Sequence, residues 1–299
     1  MRVLLTGGAG FIGSHLAEAY VDRGDEVLIL DDFSTGHRRN IPDGVEVIEG
    51  DIRDARSLLK DAGSFDLLSH HAAQASVVVS VADPLLDASI NLLGGVALLH
   101  ALEGRVGGIT FASTGGAIYG EVPSEPATED NELRPESPYG AAKAAFEILL
   151  GAWSLRTGIP ATILRYGNVY GPRQDPHGEA GVVAIFSQRL NQGKDCTIFG
   201  DGSAERDYIF VEDVVRANLS SYGVKGVFNI GTGRATSTQE IYEGLSGRGA
   251  SPPIFAPGRE GELDRSVLNA HKAKSSFDWV ATKDLESGLV ETRHAFGTE

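Results

Sequence analysis

Cysteine is nearly absent. Cys196 stands alone among 299 residues, so no intrachain disulfide can form and a cysteine-ligated zinc cluster is excluded. No other metal-ligand set is read from the sequence, and a reducing cytosol fits this usage. Positive charge is short as well: 26 Lys and Arg stand against 41 Asp and Glu, a formal charge of −15 at pH 7. That balance argues against nucleic acid held by phosphate neutralisation and against an anionic membrane held by a basic patch. A few local arginines could still hold a small anion. Long apolar runs are missing too. The N-terminal RVLLTGG is too short for a signal peptide, and no window approaches the roughly 18 apolar residues of a membrane helix. The expectation is a soluble, cytoplasmic protein with no membrane and no nucleic-acid partner.

What is present is ordinary globular composition, 41% hydrophobic and 22% charged, which excludes a disordered chain. The 38 glycines have no period of three, so they mark turns and close backbone approaches. Short apolar runs alternate with amphipathic ones. RVLLT (2–6), EVLILD (26–31), VEVIE (45–49), FDLLSHH (65–71), GITFAS (108–113) and ATILRY (161–166) read as strands. Helical patterns lie at 11–23 and near 54–61, 84–103 and 138–157, the last two started by Asp83-Pro84 and Ser137-Pro138. Continuous apolar strands separated by helices predict an α/β fold, a doubly wound parallel (Rossmann) sheet. Residues 1–166 would form a dinucleotide-binding unit. The segments RDYIF, VEDVVRANL and VFNIG, within about 207–235, would return to its sheet, interleaved with a smaller lobe over 167–299 whose Gly/Pro-rich loops suit a binding site.

The first turn, TGGAGFIGSH, follows a strand and opens a helix. It satisfies G-x-G-x-x-G through Gly8, Gly10 and Gly13, and a wider spacing through Gly7, Gly10 and Gly13. Such glycines let backbone N–H groups approach a pyrophosphate at a helix N-terminus. Asp31 closes the second strand 18 residues after Gly13, near the spacing of about 20 at which an acid meets the adenosine ribose. A carboxylate there would repel a 2′-phosphate, so NAD is expected rather than NADP. Asp51 and Ile52, after the third strand, would sit beside the adenine.

Tyr139 and Lys143 form Y-x-x-x-K at the start of a predicted helix, where i, i+4 spacing puts both side chains on one face. Bringing a tyrosine from a pKa of about 10 to about 7 takes roughly 4 kcal/mol of preferential phenolate stabilisation. A nearby ammonium and a positive nicotinamide ring could supply it.

With TGGAGFIGSH, DDFSTG, GDIRD, HHAAQASV, STGGAIYGE, SPYGAAK, LRYGNVYGPRQ, FGDGSAERDYIFVEDV, FNIGTG and GREGEL in this order, the chain resembles the extended short-chain dehydrogenase/reductase family over nearly its whole length. Within that family it is most similar to the bacterial UDP-glucose 4-epimerases. The resemblance implies a retained NAD, a UDP-sugar substrate whose C4 hydride leaves and returns through a 4-keto sugar, and a homodimer pairing the helices near 84–103 and 138–157. It implies cofactor contacts from Gly7, Gly10, Phe11, Ile12 and Gly13 in the first turn and from Asp31, Asp32, Ser34, Thr35 and Gly36 after the second strand. Further contacts would come from Asp51, Ile52, His71, Ala72, Ala73, Gln74, Asn91, Tyr139, Lys143 and Tyr166. Tyr139 would take the proton of the sugar 4-OH, with Lys143 lowering its pKa. Asn168, Arg206, Arg259 and Glu262 would hold the UDP part, and Ser266 would lie beside the sugar C2 substituent.

One position departs from the family pattern. Where many relatives carry a Ser or Thr that bonds the 4-oxygen, an ungapped alignment puts Gly115, leaving Thr114 as the expected hydroxyl and Ser113 as its competitor. A 4,6-dehydratase of the same family would need an acid there, and Gly115-Gly116-Ala117 offers none. A net reductase would more often use NADP, which Asp31 disfavours. A non-catalytic NAD sensor would have no need of Tyr139 and Lys143.

Overall fold

The computed structural model describes residues 1–122, 125–177, 181–247, 251–258 and 263–297. Seven parallel strands form the central sheet: β1 (Arg2–Thr6), β2 (Glu26–Asp31), β3 (Glu46–Glu49), β4 (Leu67–His70), β5 (Ile109–Thr114), β6 (Ala161–Tyr166) and the later β11 (Gly226–Ile230). Their spatial order is β11-β6-β5-β4-β1-β2-β3, so the winding reverses between β1 and β4. All six expected strands are present: β1, β2 and β6 have the expected bounds, and β3, β4 and β5 differ by a residue or two at their ends.

The period-2 alternation of the strands divides the core into two layers. Leu4, Leu28, Leu30, Phe111 and Ile163 face one way, onto α2 (Ala55–Leu58), α5 (Gly95–Ala101) and Phe146, Leu150 and Trp153 of α7 (Pro138–Thr157). Val3, Leu5, Val27 and Ile29 face the other way, onto Leu16 and Tyr20 of α1 (Phe11–Asp22) and Val215 of α9 (Val211–Ser220). Both faces of the sheet are covered, which is why its central strands are mostly apolar.

The expected helix starts appear as caps. Asp83 accepts the Leu86 N–H at 2.9 Å ahead of Pro84, and Ser137 accepts the Gly140 N–H at 3.2 Å ahead of Pro138. α7 stops at Gly158, whose φ of 75° is left-handed. The helix expected over 84–103 runs from Pro84 to Ala101 with a π turn in its middle. α3 (Val77–Ala82) and α4 (Pro84–Ala88) precede a wide π turn over Ser89–Gly94, and α5 follows. This stretch also corrects the reading of the apolar runs, because Pro84–Ala101 has the length and the mean hydropathy, 1.3 over 18 residues, of a membrane span. In the fold it contains the buried acid Asp87 and packs on α2 and α7.

A short α6 (Gly115–Ile118) follows β5 and packs on α7, and the second lobe contains α8 (Val182–Asn191), α10 (Thr238–Ser246), α11 (His271–Phe277) and α12 (Leu285–Ala295) with several short strands. β7 (Asn168–Tyr170) pairs with β10 (Tyr208–Phe210), and β8 (Thr197–Phe199) with β13 (Ile254–Ala256). β9 (Glu205–Arg206) lies between β12 (Thr236–Ser237) and β14 (Arg265–Ser266). The return of RDYIF to the central sheet is therefore corrected: β10 joins β7, whereas α9 packs on the sheet and β11 joins it. β11 takes the edge beside β6, and the chain leaves the sheet at Gly167, where a Cβ would lie 2.7 Å from the Asp207 carbonyl oxygen. The lobe has its own core around Tyr170, Phe186, Ile198, Phe210, Ile241 and Leu289.

Candidate active site

Because the strands are parallel, their carboxyl ends share one edge, and the winding reversal opens a crevice there. Gly7 follows β1, Asp31 ends β2, Asp51 follows β3, His71 follows β4, Thr114 ends β5 and Tyr166 ends β6. The sequence-predicted residues of the first unit thus come to one rim.

In the first turn Gly7 has φ +71°, and a Cβ on it would meet the Ala72 nitrogen at 2.6 Å. A Cβ on Gly13 would lie 2.0 Å from the Gly7 carbonyl oxygen, so the start of α1 can come this close to the loop only without a side chain. Gly10 meets nothing nearer than 3.4 Å and has an open side. Phe11 and Ile12 begin α1, half-buried. The cradle and the helix end behind it fit a pyrophosphate.

Asp31 is buried. One carboxylate oxygen accepts the Ala9 N–H at 2.9 Å and the other the Phe33 N–H at 2.9 Å, so it ties the glycine turn to the loop after β2. Burial raises its pKa, opposed by those two hydrogen bonds. A carboxylate has about four acceptor sites, so lone pairs remain for ribose hydroxyls. Asp32, Ser34 and Thr35 are exposed, with Asp32 accepting both the N–H and hydroxyl of Ser34. Gly36 is pressed against Ala9. Asp51 accepts from the Arg53 backbone and guanidinium, which hold its carboxyl below the usual range, and Ile52 is buried beneath it.

The loop after β4 is stapled to the π turn. The Gln74 N–H donates to Asn91 Oδ1 at 3.0 Å, and Asn91 Nδ2 returns a hydrogen bond to the Gln74 carbonyl at 2.8 Å. Gln74 Nε2 and Asn91 Nδ2 both donate to one oxygen of Asp87, at 2.7 and 2.9 Å. Ala72 bonds through its N–H to Thr6 Oγ1 at 3.2 Å, and Ala73 is half-buried beside it. His71 Nε2 lies 3.2 Å from the Tyr166 hydroxyl, which also accepts from Asn218 at 2.8 Å. Burial, with a smaller push from Lys143, takes the His71 pKa down to about 3, so the ring is neutral. Burial likewise raises the Tyr166 phenol.

On α7, Tyr139, Lys143 and Glu147 recur every four residues along one face. Lys143 is buried and donates to the Ala112 carbonyl at 3.0 Å. Burial lowers its pKa to about 8, while Asp87 and Glu147 pull it upward. Burial raises the Tyr139 phenol to about 12, outweighing the lowering hydrogen bond with Thr114. The Lys143 nitrogen is 6.0 Å from the Tyr139 ring centre and bonded elsewhere, so the protein groups alone leave the phenol protonated.

Ser113 is committed to a different network. Its hydroxyl donates to Glu147, whose carboxylate also holds Arg165 through Nε at 3.0 Å and Nη2 at 2.6 Å. Arg165 Nη1 donates to the Tyr119 hydroxyl at 2.7 Å, and that hydroxyl donates to Asn229 at 2.7 Å. Thr114 opens toward Tyr139 and Asn168: a Cβ on Gly116 would lie 3.2 Å from Asn168 Oδ1 and 3.8 Å from Thr114 Oγ1. At Gly115 a Cβ would strike Leu268 at 2.4 Å, which explains in packing terms why no hydroxyl-bearing residue stands there.

Backbone bonds connect Asn168 to the second lobe. Its N–H donates to the Asp207 carbonyl at 2.7 Å, and the Asp207 N–H donates to the Ser266 carbonyl at 2.9 Å. Ser266 is buried and lies opposite Arg206 in the β9–β14 register. Arg259 and Glu262 lie outside the described residues. Sequence reasoning missed Asp87, Glu147 and Leu268. The first two had a signal, since Asp87 precedes Asn91, and Glu147 follows Lys143, by four residues on a helical face. Leu268 is a long-range contact and had none.

A family profile described as the NAD dependent epimerase/dehydratase family matches residues 3–231. The chain belongs to this family. Its relatives include a UDP-glucose 4-epimerase of Mycolicibacterium smegmatis, 42% identical over 99% of this chain and 98% of that one. Among solved structures, the Thermus thermophilus UDP-glucose 4-epimerase in complex with NAD is 45% identical with TM-score 0.94, covering 99% of each chain. The Thermotoga maritima UDP-glucose 4-epimerase with UDP-glucose is 41% identical with TM-score 0.95, covering 99% of this chain and 98% of that one. The seven-stranded parallel sheet flanked by helices matches the fold of these epimerase structures.

Proposed function

We propose that the chain is an NAD-dependent UDP-sugar 4-epimerase, an isomerase interconverting UDP-glucose and UDP-galactose through a 4-keto sugar and also accepting the N-acetyl sugars. The observation that carries this reading is the placement of Thr114, Tyr139 and Lys143 on the same sheet edge as the glycine cradle and Asp31. The likeness to UDP-glucose 4-epimerases over the full chain supports it.

In this reading Gly7, Gly10 and Gly13 bring backbone N–H groups to the pyrophosphate, and Asp31 holds the adenosine ribose. Bound NAD supplies a hydride acceptor and donor at the sugar C4 and a positive charge beside the phenol. Tyr139 takes the 4-OH proton and gives it back, with the ammonium of Lys143 favouring its phenolate. Thr114 hydrogen-bonds the 4-oxygen. Asn168, Arg206, Arg259 and Glu262 hold the UDP part, so binding energy remote from C4 keeps the ketone in the site while it turns. Residues 1–166, with the return near 207–235, form the cofactor unit and 167–299 the substrate lobe. The protein works in the cytoplasm as a homodimer.

A 4,6-dehydratase reading is disfavoured by the site itself, since Gly115, Gly116 and Ala117 put no acid beside Thr114. Product analysis by NMR after incubation with UDP-galactose and no added reductant tests the proposal. UDP-glucose is the expected product, and a 4-keto-6-deoxy sugar or no turnover would refute it.

A further inference from the structure

Asp87 is fully buried, and its side chain is half used. Oδ1 accepts from both Gln74 Nε2 and Asn91 Nδ2, whereas Oδ2 has no hydrogen-bond partner among the described residues. A buried carboxylate oxygen left without a donor is costly unless a positive charge compensates it. α4, which carries Asp87, packs directly on α7. The cation it meets electrostatically there is Lys143, itself buried and spending one donor on the Ala112 carbonyl. An ammonium has three donors, so it has capacity beyond that bond.

We propose that Asp87 is the buried counter-charge of Lys143, a positioning residue that keeps this lysine charged while holding the Gln74 loop and the Asn91 π turn in place beside it. The assignment rests on the reading of Tyr139 and Lys143 as the catalytic pair only for its consequence in turnover. The electrostatic coupling itself is independent of that reading. The groups facing Lys143 are few: His70 and His71 at the end of β4, Tyr139 and Glu147 on its own helix, and Asp87 from α4. Both histidines are held neutral by burial. Glu147 is bonded to Arg165 and Ser113, so much of its charge is already compensated. Asp87 is thus the acid with an uncommitted oxygen on the helix packed against the lysine's own helix, and a charge there explains why an aspartate rather than an asparagine occupies this helix position. An asparagine oxygen could accept the same two hydrogen bonds but would carry no charge.

The test is a lysine-selective NMR titration of the full-length, cofactor-loaded protein, with the Lys143 signal assigned by its loss in Lys143→Ala. The wild-type midpoint is expected near 8, where burial places it, and in Asp87→Asn the midpoint should fall by about one unit, roughly tenfold in the proton equilibrium. The alkaline limb of kcat should move to lower pH by the same amount with little change in KM for the UDP-sugar. An unmoved midpoint in a folded Asp87→Asn variant overturns the proposal. A second measurement needs no variant: the side-chain carboxyl carbon of Asp87 in the wild-type protein should show an inflection at the Lys143 midpoint, and a flat response there overturns the proposal equally. Lost turnover in Lys143→Ala belongs to the functional reading, and the titration shift stands or falls apart from it.

Discussion

The hydroxyl of Ser113 donates to Glu147, the same buried carboxylate that grips Arg165, while its neighbour Thr114 bonds toward the phenol of Tyr139. Two adjacent hydroxyls on β5 therefore have different work, as expected when successive strand residues face opposite ways. Thr114→Val is expected to slow turnover by roughly 10 to 1000-fold, about one positioned hydrogen bond to the reacting oxygen. Ser113→Ala should instead lower the unfolding free energy by about 1–3 kcal/mol for an orphaned buried partner, seen as a fall in Tm, with a smaller effect on kcat. A larger kcat loss in Ser113→Ala would reverse these roles.

Tyr139→Phe keeps the ring and removes only the base, so it should lose most turnover while binding NAD and UDP-sugar normally by calorimetry. Lys143→Ala should also fail. In the wild type, a lysine that loses its proton near pH 8 should make kcat fall as pH rises through that range, since its charged form is the low-pH form. Near-wild-type turnover in the Phe variant would remove Tyr139 from the chemistry.

Asp31 joins the glycine turn to the loop after β2 with both of its oxygens. Mass spectrometry of the denatured protein is expected to release NAD, and Asp31→Ala should retain less of it. NADP as the dominant species would contradict the role given to this carboxylate.

Much of this site was legible in the sequence, and the limits have physical causes. The glycine turn, Asp31 and Y-x-x-x-K are local patterns whose spacing is fixed by a strand end or one helix face, and the structure brings them to one edge. The Ser113 and Thr114 choice was also within reach, because strand alternation separates them. Three features depend on contacts between distant segments. Leu268 fills the space beside Gly115, Asp87 is tied to Gln74 across the β4 loop, and β10 leaves the central sheet because β11 already covers β6. Burial raises the Tyr139 phenol in the chain alone, because burial depends on the assembled fold, whereas the nicotinamide charge expected to lower it comes from the bound cofactor.

The helices beside the site leave apolar side chains in solvent. Leu85 is 82% exposed, Leu155 76% and Ile148 68%, with Val77, Val78, Val81 and Leu93 also open. Such a patch on α3 to α5 and α7 is what a second copy would cover. Light scattering at micromolar concentration should give twice the 31.6 kDa chain mass. Leu85→Asp combined with Leu155→Asp should give the single-chain mass, and a monomeric wild type would count against the homodimer.

Substrate breadth turns on Ser266. This residue is buried on β14 opposite Arg206, and its carbonyl is fixed by the Asp207 N–H, so its backbone position is set by the sheet and only its side-chain size is free to vary. In the proposed reading that side chain lies beside the sugar C2 substituent. A serine there leaves room that a bulky aromatic would fill, and an N-acetyl group needs that room. UDP-N-acetylglucosamine and its galacto epimer are therefore expected to be interconverted alongside the unsubstituted pair. Ser266→Tyr should lose the N-acetyl activity selectively, with kcat/KM for UDP-galactose changed far less. Equal loss for both pairs would mean that the tyrosine disturbs β14 rather than closing a pocket, and retention of both would place the C2 substituent elsewhere.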